Sequence, residues 1–146
     1  MDHDAIAEQD FRRAIELDSS FAAPLAALAY TLTQTIYQTH PQDVSTERPT
    51  EAIEAATQAI ALDPGNALAY CALGRALNNS QQFDRGLDAN RKAVELNPCS
   101  ATSVSSLGYA LLYSGNAEAA IPQFERALLL SPRDPETSNF CHGLAM

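Results

Sequence analysis

The chain has no tryptophan, and its five phenylalanines and five tyrosines are scattered along 146 residues. Basic residues are scarce: 9 Lys and Arg stand against 18 Asp and Glu, leaving a net charge of −9. A polyanion of this balance repels nucleic acid and anionic lipid. The densest basic pairs, Arg12-Arg13 and Arg91-Lys92, are too small to reverse that. The three cysteines, Cys71, Cys99 and Cys141, form no CxxC pair and are odd in number, which speaks against a disulfide framework and for a reducing compartment such as the cytoplasm. The opening Met1-Asp2-His3-Asp4 carries no apolar run, so no secretory signal is expected. The longest stretch without charge, Ser19 to Gln42, is interrupted by threonines, glutamines and two prolines. A membrane-spanning helix needs about 20 predominantly apolar residues, so no membrane role is expected.

The chemistry of catalysis is equally thin. Neither GxGxxG nor GxxxxGK[ST] occurs, so no phosphate cradle is expected. His3, His40 and His142 lie far apart, and the neighbours Cys141 and His142 would point about 100° apart on a helix. No third residue orients that pair as a nucleophile and base. Met1-Asp2-His3 has the nitrogens of a square-planar copper or nickel chelate, but this follows from where the chain starts. The expectation is no enzyme, no metal and no cofactor.

What the chain does have is alanine, within an apolar fraction of 46%, and a repeat. Alanine is the best helix former. Pro64, Pro98 and Pro132 recur every 34 residues, each closing a similar phrase: Ala-Leu-Asp-Pro, Glu-Leu-Asn-Pro, Leu-Leu-Ser-Pro. In the same register Ala59, Ala93 and Ala127 align, as do Leu62, Leu96 and Leu130. Leu73-Gly74 recurs as Leu107-Gly108, and Ala52, Gly86 and Ala120 form another small-residue column. Towards the start, Ala7, Phe11, Ala14 and Leu17 repeat one half of the unit, and Leu25, Leu28, Ala29 and Leu32 the other. From Ser19 to Pro64 the count is 45, so this unit carries 11 extra residues; they fall in a loop-like stretch, Gln38 to Thr50.

Each unit predicts two helices. Tyr70, Leu73 and Leu77, and likewise Val104, Leu107 and Leu111, follow i, i+3, i+7 spacing. First helices are expected at about 22–38, 67–80 and 101–114, and second helices at about 83–96 and 117–130. Asn66, Ser100 and Asp134 stand where N-caps are needed. Gln81-Gln82 and Ser114-Gly115-Asn116 read as the turns inside units, and Pro122 reads as lying in the first turn of its helix, where its ring is tolerated. No period-2 alternation appears, so no sheet is expected. The fold class is all-α: antiparallel helical hairpins stacked into an α-α superhelix. Small residues at Gly74 and Gly108 on first helices, and at Ala52, Gly86, Ala120, Ala59, Ala93 and Ala127 on second helices, should let helices approach. Larger residues should fill the space between hairpins. Residues 1–21 read as a lone second helix, 22–66 as a unit with a loop insert near 38–50, 67–100 and 101–134 as full units, and 135–146 as a lone first helix.

These columns resemble the tetratricopeptide repeat, a 34-residue helix-turn-helix unit. The unit 67–100 matches with Tyr70, Leu73-Gly74, Leu77, Phe83, Gly86, Ala93 and Pro98. The unit 101–134 matches with Leu107-Gly108, Leu111, Ala120, Phe124, Ala127 and Pro132. Departures are Tyr70 and Val104, where the family often has Trp, and Asn90, where an aromatic is usual. Phe11-Arg-Arg-Ala-Ile-Glu-Leu-Asp18, the long insert and Leu130-Ser-Pro-Arg-Asp-Pro135 also look like the C-terminal repeat regions of bacterial adenylate/guanylate cyclases and winged-helix transcriptional regulators.

The resemblance implies a module that binds a protein, a peptide or a neighbouring domain in a concave groove lined by first helices. Those helices contain one charged residue, Arg75. Candidate contacts on them are Tyr30, Gln34, Cys71, Arg75, Asn78, Asn79, Ser105, Tyr109 and Tyr113; Tyr and Arg carry much of the energy at interfaces. The Lys and Asn clamp by which chaperone-binding members hold a terminal carboxylate is missing: its places are taken by Ala26, Cys71 and Ser105, and by Tyr30, Arg75 and Tyr109. Solenoids end in polar capping elements, whereas Leu144 and Met146 are apolar, so flanking repeats or pairing of end helices between chains is expected.

Overall fold

The computed structural model describes residues 3–38 and 47–132. Among these there are seven helices and no strand: α1 (His3–Leu17), α2 (Ala22–Gln38), α3 (Glu47–Leu62), α4 (Ala67–Asn79), α5 (Phe83–Leu96), α6 (Ala101–Tyr113) and α7 (Ala117–Leu130). The pairs α2/α3, α4/α5 and α6/α7 pack as hairpins, and α1 packs on α2.

The ends of these helices follow local chemistry. Asn66 Oδ1 accepts from the Ala69 amide at 3.1 Å, and Ser100 Oγ from Ser103 at 3.2 Å, as expected of N-caps. Asn116 caps α7 in the same way through Ala119. Asp134 lies outside the described residues. The turns inside the second and third hairpins are one motif used twice. Gln82 donates to Leu77 O at 2.9 Å and Gln81 to Asn78 O at 3.0 Å; Asn116 donates to Leu111 O at 2.8 Å and Gly115 to Leu112 O at 3.0 Å. This pair of hydrogen bonds requires a left-handed residue after the helix. Gly115 takes φ 83°, and Gln81, its counterpart 34 residues earlier, takes φ 61° with a side chain present.

Two expectations are corrected. The composition of the insert is loop-like as far as Thr50, but α3 begins at Glu47, so Arg48, Pro49 and Thr50 are helical. Pro49 fits there because a first-turn amide has no intrahelical partner to lose. The residues between α2 and α3 lie outside the described ones. Pro122 is the sixth residue of α7 rather than a first-turn residue. It therefore forgoes a helical hydrogen bond, which its exposed position leaves open to solvent.

The small-residue columns are the packing points. Ala52, Ala59, Ala93, Ala120 and Ala127 are completely buried, and Leu28 and Leu107 lie nearly so. Repeat prolines Pro98 and Pro132 are exposed in the turns. A Cβ on Gly108 would fall 2.9 Å from Phe124 Cε1 and Cζ. A Cβ on Gly74 would fall 2.6 Å from Asn90 Cγ, and one on Gly86 would fall 3.0 Å from Asn78 Cγ. In the middle hairpin the two helices thus interlock reciprocally, each asparagine seated over the other helix's glycine. Between hairpins, larger residues do the filling only in part. Leu87 and Val94 of α5 pack on Leu107, Leu111 and Phe124. The α2–α3–α4 cluster is instead alanine throughout except for Leu25, with Leu73 packed against it, so these helices sit close.

Successive first helices, α2 with α4 and α4 with α6, touch; no Cα of α3 comes within 8 Å of α5, nor of α5 to α7. The array therefore curves, with first helices inside and second helices splayed outside. Long charged side chains span the outer gap at the α1 end. Arg12 pairs with Glu8 at 2.9 Å and with Glu51 of α3 at 2.6 Å, while Arg48 reaches Glu8 at 3.4 Å and Thr35 Oγ1 at 3.1 Å. Burial acts to raise the Glu8 pKa, but Arg12 and Arg48 outweigh it and hold the carboxyl below its ordinary value.

Candidate partner-binding face

The inner wall consists of α2, α4 and α6, whose sequences contain Arg75 and no other charged residue. Equivalent positions line up across it. Tyr30, Arg75 and Tyr109 form one row and Gln34, Asn79 and Tyr113 the next, one helical turn on. The first row is half-buried throughout. The Arg75 guanidinium lies over the Tyr30 ring, 4.9 Å from its centre, and Nη1 donates to the Tyr30 hydroxyl at 3.5 Å. A cation so placed is held by the ring quadrupole as well as by the hydrogen bond. Tyr109 meets Phe124 edge to face, centroids 4.9 Å apart at 76°. Tyr113 stacks on Phe83 of α5 at 5.9 Å and remains 40% exposed. Each ring is fixed by a contact behind it and presents an edge outward.

Asn79 is half-buried, and its Nδ2 is shielded from solvent with no hydrogen-bond acceptor. It sits four residues after Arg75 and so on the same face of α4.

Three of the expected contacts are corrected. Cys71 is fully buried, and its thiol donates to Ser106 Oγ at 3.3 Å across the α4–α6 contact. Ser105 is buried with its hydroxyl turned back onto Thr102 O at 3.1 Å. Asn78 is buried in the α4/α5 interlock over Gly86. Because inner helices touch, the residues flanking the open strip are sealed between them. Conversely, Leu68, seven residues before Arg75 on the same helix face, is 38% exposed and belongs to the wall. Its heptad spacing from Arg75 is the signal that would have placed it there.

Among the described residues no three His, Cys, Asp or Glu side chains gather as a metal site. No described helix is long and apolar enough to cross a membrane.

The fold has many solved counterparts. TTC0263, a thermophilic tetratricopeptide protein of Thermus thermophilus, superposes with a TM-score of 0.76 at 15% identity, over 95% of this chain and 72% of that one. MamA superposes with a TM-score of 0.67 at 21% identity, over 94% of this chain and 72% of its own. YrrB, described as a TPR protein with an unusual peptide-binding site, gives 0.67 at 20% identity, over 92% and 62%. At such identities the likeness is one of fold. No curated protein sequence matches. The tetratricopeptide repeat family model matches residues 44–101 and 106–139, more than half of the sequence. With seven helices in 34-residue register and an inner wall of first helices, the chain belongs to the tetratricopeptide repeat family.

Proposed function

We propose that this chain is a non-catalytic interaction module that receives a protein segment, a peptide or a neighbouring domain on its inner wall. One observation carries the reading. In a chain of net charge −9, the three inner helices bear a single charged residue and hold Tyr30, Arg75 and Tyr109 half-buried in one register. Rings packed from behind lose little entropy when a partner covers them, and Tyr and Arg are the side chains that most often dominate interface energies. The similar YrrB, described as having a peptide-binding site, supports the same use of the fold. A bound partner should lose affinity on Arg75→Ala or Tyr109→Ala and keep it on Arg91→Ala, an exposed change on α5. If neither inner change weakens any partner that binds the chain, the assignment of this face is wrong.

The finer context is a regulatory region of a cytoplasmic bacterial signalling protein. It draws on the phrase similarity to the repeat regions of adenylate/guanylate cyclases, with the sensor region of a winged-helix regulator as the other candidate. Upstream coding sequence tests it: paired metal-binding aspartates would mark a cyclase, a winged helix a regulator. A second reading, assembly through the ends, is favoured by Ile121 and Leu129 on α7, which are 46% and 84% exposed. Light scattering before and after removal of residues 135–146 separates it from the first: a fall in mass on truncation supports assembly, and a monomer in both forms refutes it.

A further inference from the structure

Resting on the reading of the inner wall as a partner site, we infer that the wall selects a peptide segment by one internal acidic side chain, bound at Arg75 and Asn79 between two tyrosine contacts. The donors come first. Arg75 brings a guanidinium with five N–H groups, and its planar fork matches a carboxylate. The Tyr30 ring and hydroxyl fix that guanidinium in place, so less entropy is lost when it binds. One turn along, Asn79 Nδ2 is a shielded donor lacking an acceptor. A shielded donor without a partner costs about 1–3 kcal/mol, a cost that an incoming acceptor oxygen would remove.

Charge complementarity points the same way. No Asp or Glu lies on α2, α4 or α6, so nothing on the wall competes with a ligand carboxylate or repels it at contact. The second helices carry the acidic excess: α3 has Glu47, Glu51 and Glu54, and α5 has Asp84, Asp88 and Glu95. A polyacidic segment would be repelled by that outer field, so a single acidic residue in an otherwise neutral segment fits best.

The position of the cation indicates where in the segment the acid lies. Arg75 is on the middle helix of the wall, with Tyr30 on one neighbour and Tyr109 on the other, in the same register. Leu68 and Tyr113 add exposed apolar surface on α4 and α6. A chain crossing the wall thus meets aromatic or apolar contact on both sides of Arg75. That suits an internal Asp or Glu flanked by apolar residues better than a chain terminus.

The test is to pan a random dodecapeptide display library, with amidated C-termini in the follow-up synthesis, against the full chain. Peptides retained are those whose binding falls on Tyr109→Ala. They are expected to share one Asp or Glu between apolar positions. Exchanging that residue for its amide should weaken binding at least tenfold on the parent chain and less than twofold on Arg75→Gln. Arg75→Lys should recover only part of the loss, since it keeps the charge without the fork. Circular dichroism establishes that each variant is folded; if Arg75→Gln is not, the amide exchange on the parent chain against Asn79→Ala decides. Retained peptides with no acidic residue, or an amide exchange equally costly on parent and Arg75→Gln, overturn the inference and leave the partner-binding reading intact. If no peptide depends on Tyr109, that reading falls as well.

Discussion

Replacing Gln81 by glycine should stabilise the protein, and replacing Gly115 by glutamine should destabilise it by a similar amount. The two positions are counterparts in consecutive hairpins and close the same pair of hydrogen bonds, at φ 61° and 83°. An L-residue held in the left-handed region costs about 1–2 kcal/mol through the clash of Cβ with the following carbonyl. Glycine escapes that clash but gives back about 0.5–1 kcal/mol through its greater freedom in the unfolded chain. The net gain for Gln81→Gly is then about 0.5–1 kcal/mol. For a chain of this size each kcal/mol moves the melting temperature by about 2–4 °C. Nothing lies within 4 Å of a Cβ built on Gly115, so Gly115→Gln introduces no collision and isolates the backbone effect. Urea unfolding followed by helical circular dichroism measures both, with the midpoint read at constant slope. A neutral or destabilising Gln81→Gly beside a destabilising Gly115→Gln would mean that the Gln81 side chain contributes more than its strain costs. If both changes were silent, the left-handed turn would not be a point of strain at all.

Gly108→Ala should cost about 1–3 kcal/mol in the same assay, because its Cβ collides with the Phe124 ring, and the cost should shrink in a Phe124→Leu background. Asn90→Leu should stabilise by about 1 kcal/mol: it removes a buried Oδ1 with no donor, worth more than the Nδ2 bond to Gly86 O that is lost. Glu8 is held below its ordinary value, so its contribution is complete above that value and disappears as pH falls through the lowered one. Amide exchange of α1 should therefore accelerate in that acidic window at low ionic strength, and Glu8→Gln should abolish the pH dependence; an unchanged profile in Glu8→Gln would place the acid sensitivity elsewhere.

The period was legible because it is written in residue size. Ala59, Ala93 and Ala127 must be small wherever a hairpin closes, so the constraint returns every 34 residues and needs no long-range information. Caps were legible for the same reason: Asn66 and Ser100 act on amides three residues away. The wall was legible as a set of helices but not as a surface. Cys71, Ser105 and Asn78 are small or neutral, as a polar lining is, and only contact with the neighbouring helices decides that they are sealed. The Arg75–Tyr30 stack was hidden by the insert, which puts the partners 45 residues apart and out of the 34-residue step. The misplacement of Pro122 came from the boundary of α7, the feature that pattern reading fixes least well.

Curvature ties these observations together. Alanine and glycine columns draw the first helices into contact, and the second helices are left apart on the outside. A wide outer gap can be crossed only by long side chains, and long side chains that end in water are the charged ones. Arg12 and Arg48 do this between α1 and α3, and Arg126 on the outer α7 reaches back to Pro98 O at 2.6 Å. Inside the curve no such gap exists, so a charged side chain there has nothing structural to span and must be accommodated by a dedicated contact. Arg75 is the one residue for which that contact was supplied, by the face and hydroxyl of Tyr30. Packing explains why the inner wall is neutral; it does not explain why one cation remains, and binding does.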